Sequence, residues 1–315
     1  MSASAWTTQV LEVLVALAAA PLFLGWVNKC RAWLQNRTAP GLLQPYRGIR
    51  KLFHKEAVIA TGASPLFRIA PYVVFGAMVL AAAIIPTLGA RLPATRAADA
   101  IALVGLLATA RVFVSLAAMD VGTAFGTLGA RREMMVGFLA EPALLMVVFV
   151  ASLISASSAL PAITEQLATQ APALLPSLAF TGVAFTMVLL AENARIPVDN
   201  PATHLELTMI HEALLLEYSA RHLALMEWAA ALKLFNYACI GFALFVPWGV
   251  AVGGGSEQLA VSVPVLALKL AVAGAGLACI ETVSAKLRVM RAPEFLATAF
   301  LFAVLGLLVH LLLGA

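Results

Sequence analysis

Charge is scarce in this chain of 315 residues, where Asp, Glu, Lys and Arg make up only 11%. Soluble globular domains carry about 25%. With 62% hydrophobic residues and a mean hydropathy of +0.96, the composition is that of an integral membrane protein. Cysteine is scarce too. Cys30, Cys239 and Cys279 lie far apart and form no CxxC pair or Cys/His spacing, which excludes an iron–sulfur cluster or a structural zinc held by this chain alone. The three thiols read as small apolar packing residues. The opening MSASAWTTQVLEV lacks a basic n-region, and the apolar run behind it is long enough to span, so no cleavable signal peptide is expected. Internal repeats and low-complexity tracts are absent. The net charge of +4 is modest and belongs to membrane orientation rather than to nucleic-acid binding.

What the chain has in abundance is apolar runs. Spanning a hydrocarbon core takes roughly 20 residues, and eight windows qualify: Val10–Val27, Ile69–Leu88, Ala98–Met119, Val136–Ser155, Leu174–Ala191, Trp228–Val250, Val261–Ile280 and Phe295–Leu313. The fold class expected is all-α, a polytopic bundle of about eight transmembrane helices in a single membrane domain, residues 1–315. The loops after the first, third, fifth and seventh windows hold most of the basic residues; the first alone has Lys29, Arg31, Arg37, Arg47, Arg50, Lys51, Lys55 and Arg68. The loops after the second, fourth and sixth hold only Arg91 and Arg96. The positive-inside bias puts the odd loops in the cytoplasm and both termini outside. Two long loops then face the cytoplasm, 28–68 and 192–227, and suggest a partner docking from that side.

The loop after the fifth window concentrates ionisable groups. Ala191–Lys233 carries Glu192, Arg195, Asp199, His204, Glu206, His211, Glu212, Glu217, Arg221, His222, Glu227 and Lys233. Polar groups at or near membrane depth are costly and read as functional. Pro197 and Pro201 bracket a turn, and Thr203 to Glu206 has capping-box spacing, so a helix is expected from Thr203 onward. On it Glu206, Ile210, Ala213 and Glu217 share one face, with His204, Thr208 and His211 roughly opposite. A metal site is disfavoured: His204 and His211 stand two turns apart, and Leu215 occupies the position that would complete an HExxH zinc signature after His211-Glu212. A solvated helix face is the plain alternative for Glu206 and Glu217.

Further ionisable residues fall inside or at the ends of the windows: Arg111, Glu141, Lys233, Lys269 and Glu281, with Glu192 closing the fifth. Lone charges in hydrocarbon are expensive unless paired or hydrated. A succession of Glu, Lys and His groups joined by water is what proton transfer requires, although structural salt bridges would account for some of them.

The wording of four loops carries a family resemblance. AENARIPVDNPATHLELTMIHEALLLEYSAR (191–221) resembles the fifth-loop signature of the membrane-anchor subunit of energy-converting NiFe hydrogenases of the formate hydrogenlyase and hydrogenase-4 type. It is similar, more distantly, to the quinone-site membrane subunit of respiratory complex I (the subunit 1 family). RTAPGLLQPYRGIRKLFHKE (37–56), MDVGTAFGTLGARREMMVGFLAEPAL (119–144) and ETVSAKLRVMRAPEFL (281–296) agree with the same family. The complex I branch typically has an ETNR-PFDLPE-like run where this chain has ENARIPVDNP, and the Asp199-Asn200-Pro201 and Thr203-His204-Leu205-Glu206 steps fit the hydrogenase branch better.

The resemblance implies a non-catalytic subunit of a multi-subunit oxidoreductase, with no redox centre of its own. It would anchor a cytoplasmic arm of large and small hydrogenase subunits, which would carry the NiFe centre and the 4Fe-4S clusters. Antiporter-like membrane subunits beside it would move protons or sodium ions across a bacterial or archaeal cytoplasmic membrane. Glu192, Arg195, Asp199, Glu206, Glu212, Glu217 and Arg221 are expected at the coupling loop and arm interface. Arg111, Glu141, Lys233, Lys269 and Glu281 are expected to form an intramembrane ion relay. The rival expectations are the quinone-site subunit of a complex I-like NADH dehydrogenase and a free-standing ion transporter. Transporters often show internal repeats, and none is visible here.

Overall fold

The computed structural model describes residues 3–90, 92–96, 99–169, 176–199, 209–251, 256–285, 287 and 291–313. Its elements are helices: α1 (Ala3–Leu34), α2 (Gln44–Phe53), α3 (Pro65–Ile84), α4 (Pro93–Arg96), α5 (Ala100–Asp120), α6 (Ala124–Ser155), α7 (Leu160–Thr169), α8 (Pro176–Glu192), α9 (His211–Leu215), α10 (Ala220–Phe245), α11 (Ser256–Val283) and α12 (Ala292–Leu313). Among the described residues there is no strand, only the isolated bridges Gly89–Ala251 and Asp99–Ala159. The chain is thus an all-α, polytopic membrane protein. Among the described residues, seven helices are long and apolar enough to cross a membrane: α1, α3, α5, α6, α10, α11 and α12. The remaining window corresponds to α8, an apolar helix of 17 residues packed against α12 and α6.

Local chemistry sets several helix starts. Ser64 Oγ accepts from Leu66 N at the head of α3, where Pro65 fills the first position. Asp99 accepts from Ile101 N to begin α5, and Thr123 Oγ1 accepts from Gly126 N to begin α6. The turn between α5 and α6 passes through Gly122 at φ 73°, a left-handed conformation that glycine adopts without a Cβ clash.

α3 lies between α5 and α10, α1 between α10 and α11, and α6 contacts α5, α8 and α12. Small side chains dominate these interfaces: Ala20, Ala70, Ala81, Ala140, Ala143, Ala184, Ala299 and Ala303 are wholly buried, the pattern that lets membrane helices approach closely. Outward-facing Val10, Leu14, Leu80, Ile101, Phe138, Leu268, Val272 and Leu301 are exposed and present an apolar surface to lipid.

The loops meet in two groups. At one end Ala90 N donates to Ala251 O, and Ala100 N to Ser158 O. At the other, Ser64 N donates to Asp120 Oδ2 at 2.7 Å, Ser219 Oγ donates to Val58 O at 2.6 Å, and Leu287 N donates to Pro197 O.

Three departures from the sequence expectation bear on the site. α6 begins at Ala124, not Val136, because the helix continues through Arg131, Arg132 and Glu133, where Glu133 is paired with Arg111. α10 runs from Ala220 to Phe245 rather than from Trp228 to Val250, taking Arg221, His222 and Glu227 into its first turns. The helix expected from Thr203 is, within the described residues, only the five-residue α9. It ends at Leu215 because Ser219 turns extended and binds Val58. The face expected to join Ala213 to Glu217 is therefore interrupted.

Candidate functional site

Arg111 sits in the middle of α5 with its side chain 5% exposed, facing carboxylates from two other helices. Its Nη1 lies 2.6 Å from Glu141 Oε1 and its Nε 3.5 Å from Glu133 Oε1, both on α6. Its Nη2 donates to Glu192 Oε1 at the end of α8. The other Glu192 oxygen is 2.9 Å from Lys233 Nζ on α10. α6 can bring both its carboxylates to one guanidinium because Glu133, Gly137 and Glu141 repeat at four-residue intervals along one face. Gly137, between them, leaves the space the Arg111 side chain occupies.

The cluster continues toward the loop end of the bundle. Glu133 Oε2 is 3.3 Å from His211 Nε2, and His211 Nδ1 is 3.5 Å from Asp199 Oδ2. The backbone N–H of His211 donates to the same Asp199 oxygen at 3.2 Å, tying α9 to the loop after α8. Burial alone would push the His211 imidazole below its ordinary value, but Glu133 and Asp199 outweigh it and raise the pKa.

A second ionic group stands next to the first. Glu281, at the end of α11, is 3.1 Å from Arg195 Nη1 and 3.4 Å from Arg31 Nη1. A cavity of about 390 Å³ lies between the groups, lined by Arg31, Arg111, Glu133, Glu192, Arg195, His211 and Lys233 among aliphatic side chains. It has room for several waters. Among the described residues no group of three or more His, Cys, Asp or Glu is gathered as metal ligands would be.

A polar chamber of this kind, set in a bundle with this loop wording, meets a known family. Residues 7–312 match the NADH dehydrogenase family. The chain belongs to that family. It is 32% identical over 302 residues to formate hydrogenlyase subunit 4 of Escherichia coli (strain K12), covering 94% of this chain and 96% of the relative. Hydrogenase-4 component C of the same organism is 35% identical over 242 residues, 76% of this chain and 75% of its own. A shorter stretch of 85 residues is 38% identical to a subunit of the NADH-quinone oxidoreductase of Cytophaga hutchinsonii, covering 24% of this chain and 23% of that one. These matches bear out the family resemblance carried by the loop segments. The fold is shared with a chain in the structure of the membrane-bound sulfane sulfur reductase, an archaeal respiratory membrane complex, at a TM-score of 0.78 and 19% identity, covering 96% and 98% of the two chains.

Within this family member, Arg111, Glu141, Glu192 and Lys233 converge on one cluster, and Asp199 joins it through His211. Arg195 and Glu281 form the neighbouring pair. Glu212 lines the cavity from α9, Glu217 is partly buried beyond it, and Arg221 is exposed on α10. Lys269 stands apart on α11, where its Nζ donates to Val246 O at 2.6 Å and lies 5.8 Å from the Phe242 ring centroid. Glu206 lies outside the described residues, as do His204 and Thr208.

Glu133, His211 and Arg31 belong to the site, yet sequence reasoning does not single them out as site residues. A fourth span starting at Val136 hides Glu133; on a helix from Ala124 its spacing with Glu141 exposes it. His211 invites only the question of a metal ligand. Arg31 has the look of a topogenic charge, and its pairing with Glu281, 250 positions away, has no local signal.

Proposed function

We propose that this chain is the membrane subunit of a hydrogenase-type complex, and that its buried charges couple redox chemistry in a docked arm to ion movement. It holds a hydrophilic arm against the loop end of the bundle, and the arm's large and small subunits carry the NiFe centre and the 4Fe-4S clusters. Antiporter-like membrane subunits adjoin it, the membrane is the cytoplasmic (inner) membrane, and both termini face outward. The relatives in formate hydrogenlyase and hydrogenase-4 support the assignment of the complex.

The single observation that carries the coupling reading is the continuous run Asp199–His211–Glu133–Arg111–Glu192–Lys233, from a loop to the bundle interior. Each contact sets a basic group within 4 Å of a carboxylate, so a shift of the loop end that moves Asp199 would redistribute charge along the whole run. The electron path stays in the arm. This chain's residues hold, exchange and reposition protons.

The test is the whole complex in sealed vesicles, comparing wild type with Glu133→Gln and Glu192→Gln. Hydrogen evolution from a soluble reduced dye should survive while the accompanying ion gradient falls at least tenfold. An undiminished gradient in both variants would overturn the coupling role.

A second reading rests on the cavity and on the shorter match to an NADH-quinone oxidoreductase subunit. Under it a quinone headgroup occupies the chamber. Loss of activity with quinone-analogue inhibitors in the purified complex would favour it. Insensitive hydrogen evolution would remove it.

A further inference from the structure

Helix α2 lies across the flank of α1, with Ile49 buried beneath it and α10 on its far side. Its approach depends on Gly25. A Cβ at that position would stand 3.4 Å from Pro45 Cδ and would collide with Leu42 O. Between the two helices runs an open groove of about 660 Å³. Its floor is Val15, Ala18, Ala19 and Leu22, all on the spanning segment of α1, and its rim is Leu43, Tyr46, Arg47 and Arg50.

The floor offers no hydrogen-bonding side chain, and from Val15 to Leu22 it runs roughly 10 Å along the helix. The rim is of opposite character. Arg47 and Arg50, both exposed, sit three residues apart on one side of α2, with Lys51 next to them and no acidic residue anywhere in the helix. The Tyr46 ring is half-buried between rim and floor, and that burial raises its hydroxyl pKa, so it stays a donor. An apolar slot at membrane depth beneath paired guanidinium groups and a phenol matches one ligand chemistry in both halves.

We propose that this groove is a specific site for an anionic phospholipid. One acyl chain lies along Val15–Leu22, and the headgroup phosphate is held by Arg47 and Arg50, with Tyr46 donating to it. Charge complementarity selects this occupant over a zwitterionic lipid, and the position of the floor within a spanning helix selects it over a soluble anion. The site does not depend on the hydrogenase reading, because its readout is lipid retention.

The test uses the intact complex purified in mild detergent, stripped of lipid and then given phosphatidylglycerol or phosphatidylcholine. Bound lipid is counted by native mass spectrometry, and the thermal midpoint is followed in parallel. Phosphatidylglycerol should be retained and should raise the midpoint, and phosphatidylcholine should do neither. Each basic residue near an anionic surface is worth about a fivefold factor, so Arg47→Gln with Arg50→Gln should weaken retention about thirtyfold. Arg47→Lys with Arg50→Lys should keep most of it. Ala18→Trp fills the floor without touching the rim and should also abolish retention, which keeps the test alive if the double glutamine variant fails to assemble. Equal retention of the two lipids, or unchanged retention in Ala18→Trp, would overturn the proposal. So would a crosslink from Leu43 that captures a partner subunit in place of lipid.

Discussion

Gly137 on α6 faces Arg111 on α5 so closely that an added Cβ would stand 2.8 Å from Arg111 Cδ and closer still to Nη1. The position of the guanidinium among Glu133, Glu141 and Glu192 therefore depends on a missing side chain. Gly137→Ala should displace Arg111 and destabilise the subunit by about 1–3 kcal/mol, the usual cost of overpacking. Gly105→Ala, also within a spanning helix but with nothing within 4 Å of its added methyl, should leave the melting temperature of the complex unchanged or slightly raised. Equal melting temperatures for the two variants would show that Arg111 relaxes freely.

Removing the guanidinium itself is more severe. Arg111→Gln leaves the buried Glu133 and Glu192 without their shared cation, and breaking a buried pair typically costs about 3–5 kcal/mol. Arg111→Lys restores charge but cannot reach three carboxylates at once, because an ammonium lacks the planar fork. The expected order of assembled complex recovered from membranes is wild type, then Arg111→Lys, then Arg111→Gln. Recovery of Arg111→Gln at the wild-type level would show that Lys233, 2.9 Å from Glu192, compensates for the lost guanidinium.

His211 gives the site a pH dependence with a definite sign. It faces Glu133 on α6 and Asp199 in the loop, with Lys233 on α10 opposing them, and the balance raises its pKa above the ordinary 6.5. A raised folded-state value means the stabilisation is fully present below the ordinary value. It is then lost as pH rises through the folded-state value. The melting-temperature gap between wild type and His211→Gln should therefore be widest near about pH 6 and shrink toward about pH 9. A gap that widens with pH would contradict the geometry.

The sequence made the fold legible because apolar runs near span length leave few alternatives. α3, α5 and α12 start within a few residues of their expected windows. Boundaries failed where charge lies inside a helix, at Glu133 in α6 and Arg221 in α10, because a window that counts apolar residues stops at the first charges. Reading charge by its neighbours concealed part of the site as well. Arg111, Glu141 and Lys233 stood out as isolated charges in apolar surroundings, whereas Glu133 and Arg31 sat among other charged residues and looked solvated. What joined them was helix packing: α5 against α6, and α1 against α11. Neither contact leaves a trace in local spacing.

The loop carrying His211 is fastened to the bundle by Tyr218. Its ring stacks on Phe67 with centroids 4.1 Å apart and planes 7° from parallel, and its hydroxyl donates to Phe67 O at 3.2 Å. Tyr218→Phe retains the stack and loses one neutral hydrogen bond, an expected cost of about 1 kcal/mol. Tyr218→Ala also opens a cavity and should cost about 3–5 kcal/mol. Limited proteolysis of the 209–219 segment should accelerate markedly in Tyr218→Ala and hardly at all in Tyr218→Phe. Equal rates would place the anchor elsewhere, at the Ser219–Val58 contact.

At the opposite end of the bundle, Glu12 on α1 is wholly buried and closes the exit of α3. One carboxylate oxygen accepts from Thr87 N at 2.8 Å, from Leu88 N at 3.4 Å and from the Thr87 hydroxyl. Those amides follow the end of α3 at Ile84, where helical partners have run out. Glu12→Ala strands the donors in an apolar setting, and each orphaned donor costs about 1–3 kcal/mol. Glu12→Gln keeps an accepting oxygen in place and should cost distinctly less. Hydrogen exchange at Thr87 and Leu88 provides the local readout, with protection lost in Glu12→Ala and largely kept in Glu12→Gln. If protection falls equally in both, an accepting oxygen at position 12 is not what holds the turn.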